Sequence, residues 1–303
     1  MCAGIFVTDE LPHEGKALLD TYEIFEKKAT DDELARCEVL MAWPGRVRKD
    51  LLARMKSLRM VQSMAAGVDT MDFRSLPAGV QVFSNAGAYT ESVAEHAWGL
   101  LLGVAKGVHL RKTKVVPRKL RGKTLLVVGG GAIGSEVARL ARSLEMKTVG
   151  VSRSFKSPEN FDERHSVGAL ADLMAAADAV VISLPLTTKT RGLIGKESLS
   201  RAKDSVVMIN VGRGETVAEE ELIAWLRERP ESRYATDVFW SSGGRESFET
   251  KAWDLPNFAG TLHVSGLPLG ETLAGAKMEA AKNVRRFLQG KKAYNEVDVA
   301  EYF

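Results

Sequence analysis

The sequence predicts an α/β protein made of two Rossmann-like domains with parallel sheets. Three observations carry this. Short apolar runs alternate with helix-like stretches along almost the whole chain, the pattern of repeated βα units. One run, Thr124-Leu125-Leu126-Val127-Val128, leads straight into Gly129-Gly130-Gly131-Ala132-Ile133-Gly134 and then an amphipathic stretch, Ser135 to Ala141. The chain has 303 residues, 45% hydrophobic and 27% charged, enough for two separate cores.

In the first third, Ala3–Val7, Tyr22–Phe25, Val39–Trp43, Met60–Ser63 and Val80–Phe83 read as strands. Helical stretches follow the first strand, begin near Asp31, and lie near 49–55. A long helix is expected from about Glu91 to Val108, with Val93, Ala97, Leu100, Leu101 and Val104 on one face. After a basic linker containing Pro117, Leu120-Arg121-Gly122-Lys123 opens the glycine-motif domain. Its further strands read as Met146–Val151, Ala179–Leu184, Val206–Val211, Tyr234–Phe239 and Gly260–Val264, and a last helix runs from about Glu271 to Leu288. The expected domains are 1–93 with 275–303, and 94–274.

Glycines 129, 131 and 134 have the G-x-G-x-x-G spacing. The first allows a sharp turn, the second lets a pyrophosphate approach the backbone, and the third lets helix and strand pack closely. The N–H groups of the helix start at Ala132 and Ile133 then face an anion. An ordinary glycine turn is the competing reading; the strand before and the helix after favour a dinucleotide. An NAD site places an acid about 20 residues on, against the ribose hydroxyls. Here Ser152 stands eighteen residues after Gly134 and is followed by Arg153 and Ser154, with Lys156 nearby. These groups suit a 2′-phosphate. NADP(H) is therefore expected to be preferred, with NAD(H) possible; a solvated basic turn is the alternative.

The net charge of +3 gives no case for nucleic acid. Basic residues cluster at Lys106, Arg111, Lys112, Lys114, Arg118, Lys119, Arg121 and Lys123, read as a solvated helix end and linker near an anionic cofactor. Cys2 and Cys37 do not make a disulfide framework, and no metal-ligand spacing such as C-x-x-C or H-E-x-x-H occurs. No signal peptide or membrane-length apolar run is present, so a cytoplasmic protein is expected.

Several motifs in fixed order resemble the D-isomer-specific 2-hydroxyacid dehydrogenase family, with glyoxylate and hydroxypyruvate reductases among its members, over nearly the whole chain. Ala66-Gly67-Val68-Asp69 resembles its substrate-carboxylate loop. Glu91-Ser92-Val93-Ala94-Glu95-His96 resembles the helix that meets the nicotinamide, and Ser183-Leu184-Pro185-Leu186-Thr187 the strand end beside the adenosine. Asn210-Val211-Gly212-Arg213-Gly214 resembles the catalytic-arginine motif. Thr236-Asp237-Val238-Phe239 and Leu262-His263-Val264-Ser265-Gly266 resemble the last two active-site elements.

The resemblance implies a flavodoxin-like substrate domain, a dinucleotide domain, a site in the cleft between them closed by a hinge, and a homodimer. It implies that Leu184, Pro185, Thr190, Val211, Gly212, Asp237, His263 and Gly266 surround the cofactor. Ala66, Gly67, Val68 and Arg213 would bind the substrate carboxylate. Reducing a 2-keto acid needs a hydride at carbon and a proton at oxygen. His263 is the candidate proton donor and Arg213 the carboxylate and carbonyl clamp. Taken singly, His263 reads as a structural histidine, Arg213 as a surface charge and Asp237 as a strand cap; their joint order argues for function. His96 reads as structural support.

The chain departs from the family at the histidine's carboxylate partner. The family's glutamate lies five residues beyond the motif aspartate, where this chain has Ser242, and the Asp237–His263 interval is about two residues longer. Either Glu246 takes that place, or no carboxylate reaches His263 and reduction falls off at a more acidic pH. The linker from Gly107 to Leu120 is also short, which leaves the dimer geometry open. Trp43, Met64, Tyr89 and Trp240 are candidates for substrate selection. Because the chain ends at Phe303, no regulatory domain is expected, which argues against a 3-phosphoglycerate dehydrogenase. A dinucleotide-sensing, corepressor-like protein is the alternative from another class. A formate-dehydrogenase-like reaction is the alternative among enzymes, against which stands the absence of a glutamine around Ser242.

Overall fold

The computed structural model describes residues 3–110, 116–267 and 272–303. Cys2, Arg111, Lys112 and Lys114 lie outside them. The chain divides into two compact units, Met1–Tyr89 with Pro268–Phe303, and Thr90–Leu267.

In the first unit β1 (Gly4–Val7), α1 (His13–Leu18), β2 (Glu23–Glu26), α2 (Asp31–Arg36), β3 (Cys37–Ala42), α3 (Lys49–Leu52), β4 (Met60–Ser63) and β5 (Gln81–Phe83) follow in order. The five strands form one sheet, β2-β1-β3-β4-β5, with every pair parallel. This is the flavodoxin-like order. Successive side chains point to opposite faces, and both faces are covered. Phe6, Leu40, Val61 and Val82 pack under α2 and α3 with Leu34 and Leu52. Ile5, Val7, Val39, Met41, Met60 and Phe83 pack on the other side with Ala280, Ala281 and Val284.

The second unit opens with α4 (Thr90–Lys106) and continues through β6 (Thr124–Val128), α5 (Ala132–Ser143), β7 (Lys147–Val151), β8 (Glu163–His165), α6 (Leu170–Ala176), β9 (Ala179–Ile182), α7 (Lys196–Arg201), β10 (Val207–Asn210), α8 (Glu219–Glu228) and β11 (Arg233–Thr236). A short antiparallel hairpin, β12 (Ser241–Ser242) and β13 (Arg245–Glu246), precedes β14 (Phe258–Gly260). The seven-stranded parallel sheet has the order β14-β11-β10-β9-β6-β7-β8. Strand order reverses between β6 and β9, and open α/β sheets bind ligands at such a point, outside the carboxyl ends of the strands. The helix α9 (Thr272–Leu288) then returns to the first unit. The sequence boundary at 93/94 falls inside α4, which packs as a whole on α5, β10 and β11.

Three expectations are corrected. The last strand is Phe258–Gly260, not Gly260–Val264. Pairing with β11 ends at Thr236–Gly260, because the Asp237 side chain draws off the N–H groups of Val264 and Ser265, at 3.0 and 2.9 Å. Arg118 is not a solvated linker charge. Its side chain is 17% exposed, its guanidinium donates to Ser205 O at 2.5 Å, and burial lowers its pKa to about 10. Met64 and Trp240, read as candidates for substrate selection, are core residues, 0% and 8% exposed.

Candidate active site

The parallel register aligns the strand ends of the second unit in one row: Val151, Val128, Ile182, Asn210, Thr236 and Gly260. The residues that follow are Ser152, Gly129, Ser183, Val211, Asp237 and Thr261. Motifs far apart in sequence thus meet along a single carboxyl edge.

At the reversal point, a Cβ on Gly134 would lie 1.8 Å from Gly129 O, so α5 packs against the turn only because residue 134 has no side chain. A Cβ on Gly131 would meet nothing within 4 Å, and among the described residues no side chain caps α5 there. The N–H groups at Ala132 and Ile133 thus open the helix without a side-chain acceptor, a chemistry that fits a pyrophosphate. Lys156 N donates to Gly130 O at 2.8 Å, which folds the 152–156 segment beside the glycine turn. Arg153 and Ser154 are exposed there, and the first residue after β7 is Ser152 rather than an acid. After β9, Leu184 is half-buried and Pro185 exposed. Thr190 closes their loop: its hydroxyl donates to Pro185 O at 2.6 Å and accepts from Thr187 N at 2.8 Å.

After β10, the Asn210 side chain shapes the arginine turn. Its Oδ1 accepts from Gly212 N at 3.0 Å and its Nδ2 donates to Arg213 O at 2.9 Å. Val211 is buried beneath, and Arg213 Nη1 donates to Gly212 O at 2.8 Å. The Asn210 role escaped sequence reasoning, although an Asx residue just before a tight turn is the available signal.

Asp237 is 0% exposed. Besides the two loop N–H groups, its Oδ1 accepts from Thr261 Oγ1 at 2.6 Å, and that hydroxyl lies 2.7 Å from His96 Nε2. The carboxylate therefore holds the 261–265 loop, with Gly266 just beyond it, and His96 backs that hold. His263 sits in this loop with φ of 52°, a left-handed conformation uncommon for a non-glycine residue. Its Nδ1 is 2.5 Å from Glu246 Oε2, while Glu246 Oε1 accepts from Phe239 N at 2.7 Å. The inserted hairpin thus delivers a carboxylate to the histidine.

In the first unit, β4 runs into Ala66-Gly67-Val68. Met64 O accepts from Tyr89 Oη at 2.7 Å and Asn85 Nδ2 at 3.0 Å, which fixes the start of the turn; burial pushes the Tyr89 hydroxyl up to about 12. Val68 is buried, and among the described residues nothing accepts from the N–H groups of Ala66, Gly67 and Val68.

The family profile described as "D-isomer specific 2-hydroxyacid dehydrogenase, NAD binding domain" matches residues 79–265, more than half of the chain. The chain belongs to that family. It is an oxidoreductase with an NAD-binding Rossmann domain. The chain is 31% identical to the glyoxylate reductase of Aeropyrum pernix, over 97% of its own length and 95% of the relative's. It is 29% identical to the hydroxypyruvate reductase of Thermotoga maritima, over 86% and 90%. A solved structure described as a putative formate dehydrogenase from Pyrobaculum aerophilum superposes with a TM-score of 0.85 at 29% identity, covering 98% of this chain and 99% of that one. The hairpin of this dehydrogenase presents a glutamate to His263. Among the described residues no helix is long and apolar enough to cross a membrane.

Proposed function

We propose that the protein reduces a small 2-keto acid of the glyoxylate or hydroxypyruvate type to the D-2-hydroxy acid, with NADP(H) preferred over NAD(H). The observation that carries the reading is the His263–Glu246 pair, 2.5 Å apart, with His263 and Arg213 each three residues past the aligned strand ends Gly260 and Asn210. With Nδ1 engaged by the carboxylate, Nε2 is the nitrogen left to hold a transferable proton. In reduction it gives that proton to the carbonyl oxygen; in oxidation it takes it back from the hydroxyl. The bound nicotinamide cofactor supplies the hydride that completes the reduction. The Arg213 guanidinium, its turn held by Asn210, clamps carboxylate and carbonyl oxygen in one plane. The N–H groups of Ala66, Gly67 and Val68 offer further donors to the carboxylate. Gly129, Gly131 and the helix start hold the pyrophosphate, and Ser152, Arg153 and Ser154 take the 2′-phosphate.

Oxidation of NADPH and NADH by the purified protein, with glyoxylate, hydroxypyruvate, pyruvate and phenylpyruvate in turn, tests the reading. Turnover is expected with NADPH on glyoxylate or hydroxypyruvate. Tight cofactor binding without turnover on any of the four would favour the sensing protein instead. In the variant Ser152→Asp with Arg153→Leu, the preference should swing towards NADH; an unchanged ratio of efficiencies would refute the NADP(H) preference.

A further inference from the structure

The hairpin that carries Glu246 is small. Each strand has two residues, and the Gly243-Gly244 tip is exposed. A two-stranded ribbon of this size has marginal stability of its own. Yet it must hold a carboxylate 2.5 Å from His263. Contacts outside the hairpin must therefore fix its position: the Phe239 N–H holds Glu246 Oε1 at 2.7 Å, and a second carboxylate grips the opposite strand. Glu215 Oε1 accepts from Ser241 N at 3.1 Å and also from the Ser241 hydroxyl. Ser241 is the residue directly opposite Glu246 in the ladder. Glu215 is itself anchored, since its carbonyl accepts from Gly192 N at 2.8 Å. It stands two residues after Arg213 in the same turn. The Trp240 indole, which donates to Val217 O at 2.8 Å, ties the same two segments a second time.

We infer that Glu215 is a positioning residue for the dehydrogenase reaction. By gripping Ser241 it sets the hairpin's register and thereby holds Glu246 against His263, so that one short turn places both the arginine clamp and the histidine's partner. The inference rests on His263 acting as the proton donor. Among the described residues, charged and titratable groups packed around the His263 loop include Glu246 from the hairpin, Asp237 from the end of β11, and His96 from α4, which reaches Thr261 and lies 3.6 Å from Asp237. Glu215 touches none of these three, so its effect on the histidine must pass through the hairpin.

The test is the pH profile of kcat/KM for keto-acid reduction in five variants of the full chain. Glu246→Gln removes the partner directly and should move the basic limb towards acid. Glu215→Ala should move it in the same direction and lower kcat/KM about tenfold on that limb, with a smaller loss at pH 5.5. Glu215→Gln, whose amide oxygen still accepts from Ser241, should restore the wild-type limb. Glu215→Ala combined with Glu246→Gln should move the limb no further than Glu246→Gln alone. If Glu215→Ala lowers expression too far, Ser241→Ala removes half of the grip and should give a smaller shift of the same sign. A wild-type limb in both Glu215→Ala and Ser241→Ala, with Glu246→Gln shifted, overturns the positioning role alone. A wild-type limb in Glu246→Gln overturns the histidine–carboxylate reading and the inference with it.

Discussion

Two buried or half-buried carboxylates show how single residues set the strand ends. Asp237 spends both oxygens on the loop that carries His263. Asp9, just past β1, accepts from the Trp43 indole N–H at 3.0 Å and pairs with Lys277 at 3.0 Å, which lowers its pKa to about 2. A depressed carboxylate adds stability above its unfolded pKa near 4 and loses it as pH falls towards 2. The side chain is one-third exposed, so solvent screening limits the gain to about 1 kcal/mol. Asp9→Asn should therefore lower the urea-unfolding free energy at pH 6 by about that amount, and the difference from wild type should close between pH 4 and pH 2. At this scale the sequence was legible for residue types and left their partners open. Glu246 could be singled out as a carboxylate, but its contact with His263 depends on a hairpin whose tip takes two glycines at φ of 61° and 79°.

At the scale of elements, apolar runs located the strands, and the glycine spacing located the turn into α5. Gly134 and Gly131 of that motif have separate physical tasks. Gly134→Ala forces a Cβ into Gly129 O and should destabilise the protein by about 1–3 kcal/mol, read as a lower unfolding temperature. Gly131→Ala places its Cβ in open space. It should leave that temperature unchanged and weaken cofactor binding, read by fluorescence titration. Equal thermal losses in both variants would contradict the assignment. The end of β14 was misread because Leu262 and Val264 alternate with His263 as strand residues would, yet both are exposed, at 53% and 46%. Their placement follows from side-chain capture by Asp237, which local apolarity does not report. The hairpin and β8 were missed because they are too short, at two and three residues a strand, for periodicity to mark them.

For the whole molecule, two parallel sheets and the return of the chain through α9 were readable, because repeated βα units leave few topologies. The return is locked by polar groups that no periodicity marks. Asn283, on α9, donates to Gln62 Oε1 at 2.7 Å and to Tyr294 O at 3.0 Å, and its Oδ1 accepts from Tyr294 N at 2.7 Å. The candidate chemistry was legible because the family's motifs occur in order. The strand-end register then brings the second unit's motifs onto one edge. The most direct test of the proposed chemistry is kcat/KM for reduction of the best keto acid at saturating cofactor, in wild type, His263→Gln and Arg213→Gln, with cofactor affinity measured alongside. Each variant should lose at least about 100-fold while binding cofactor within a few-fold of wild type. A variant of either residue that keeps the wild-type rate would contradict the account.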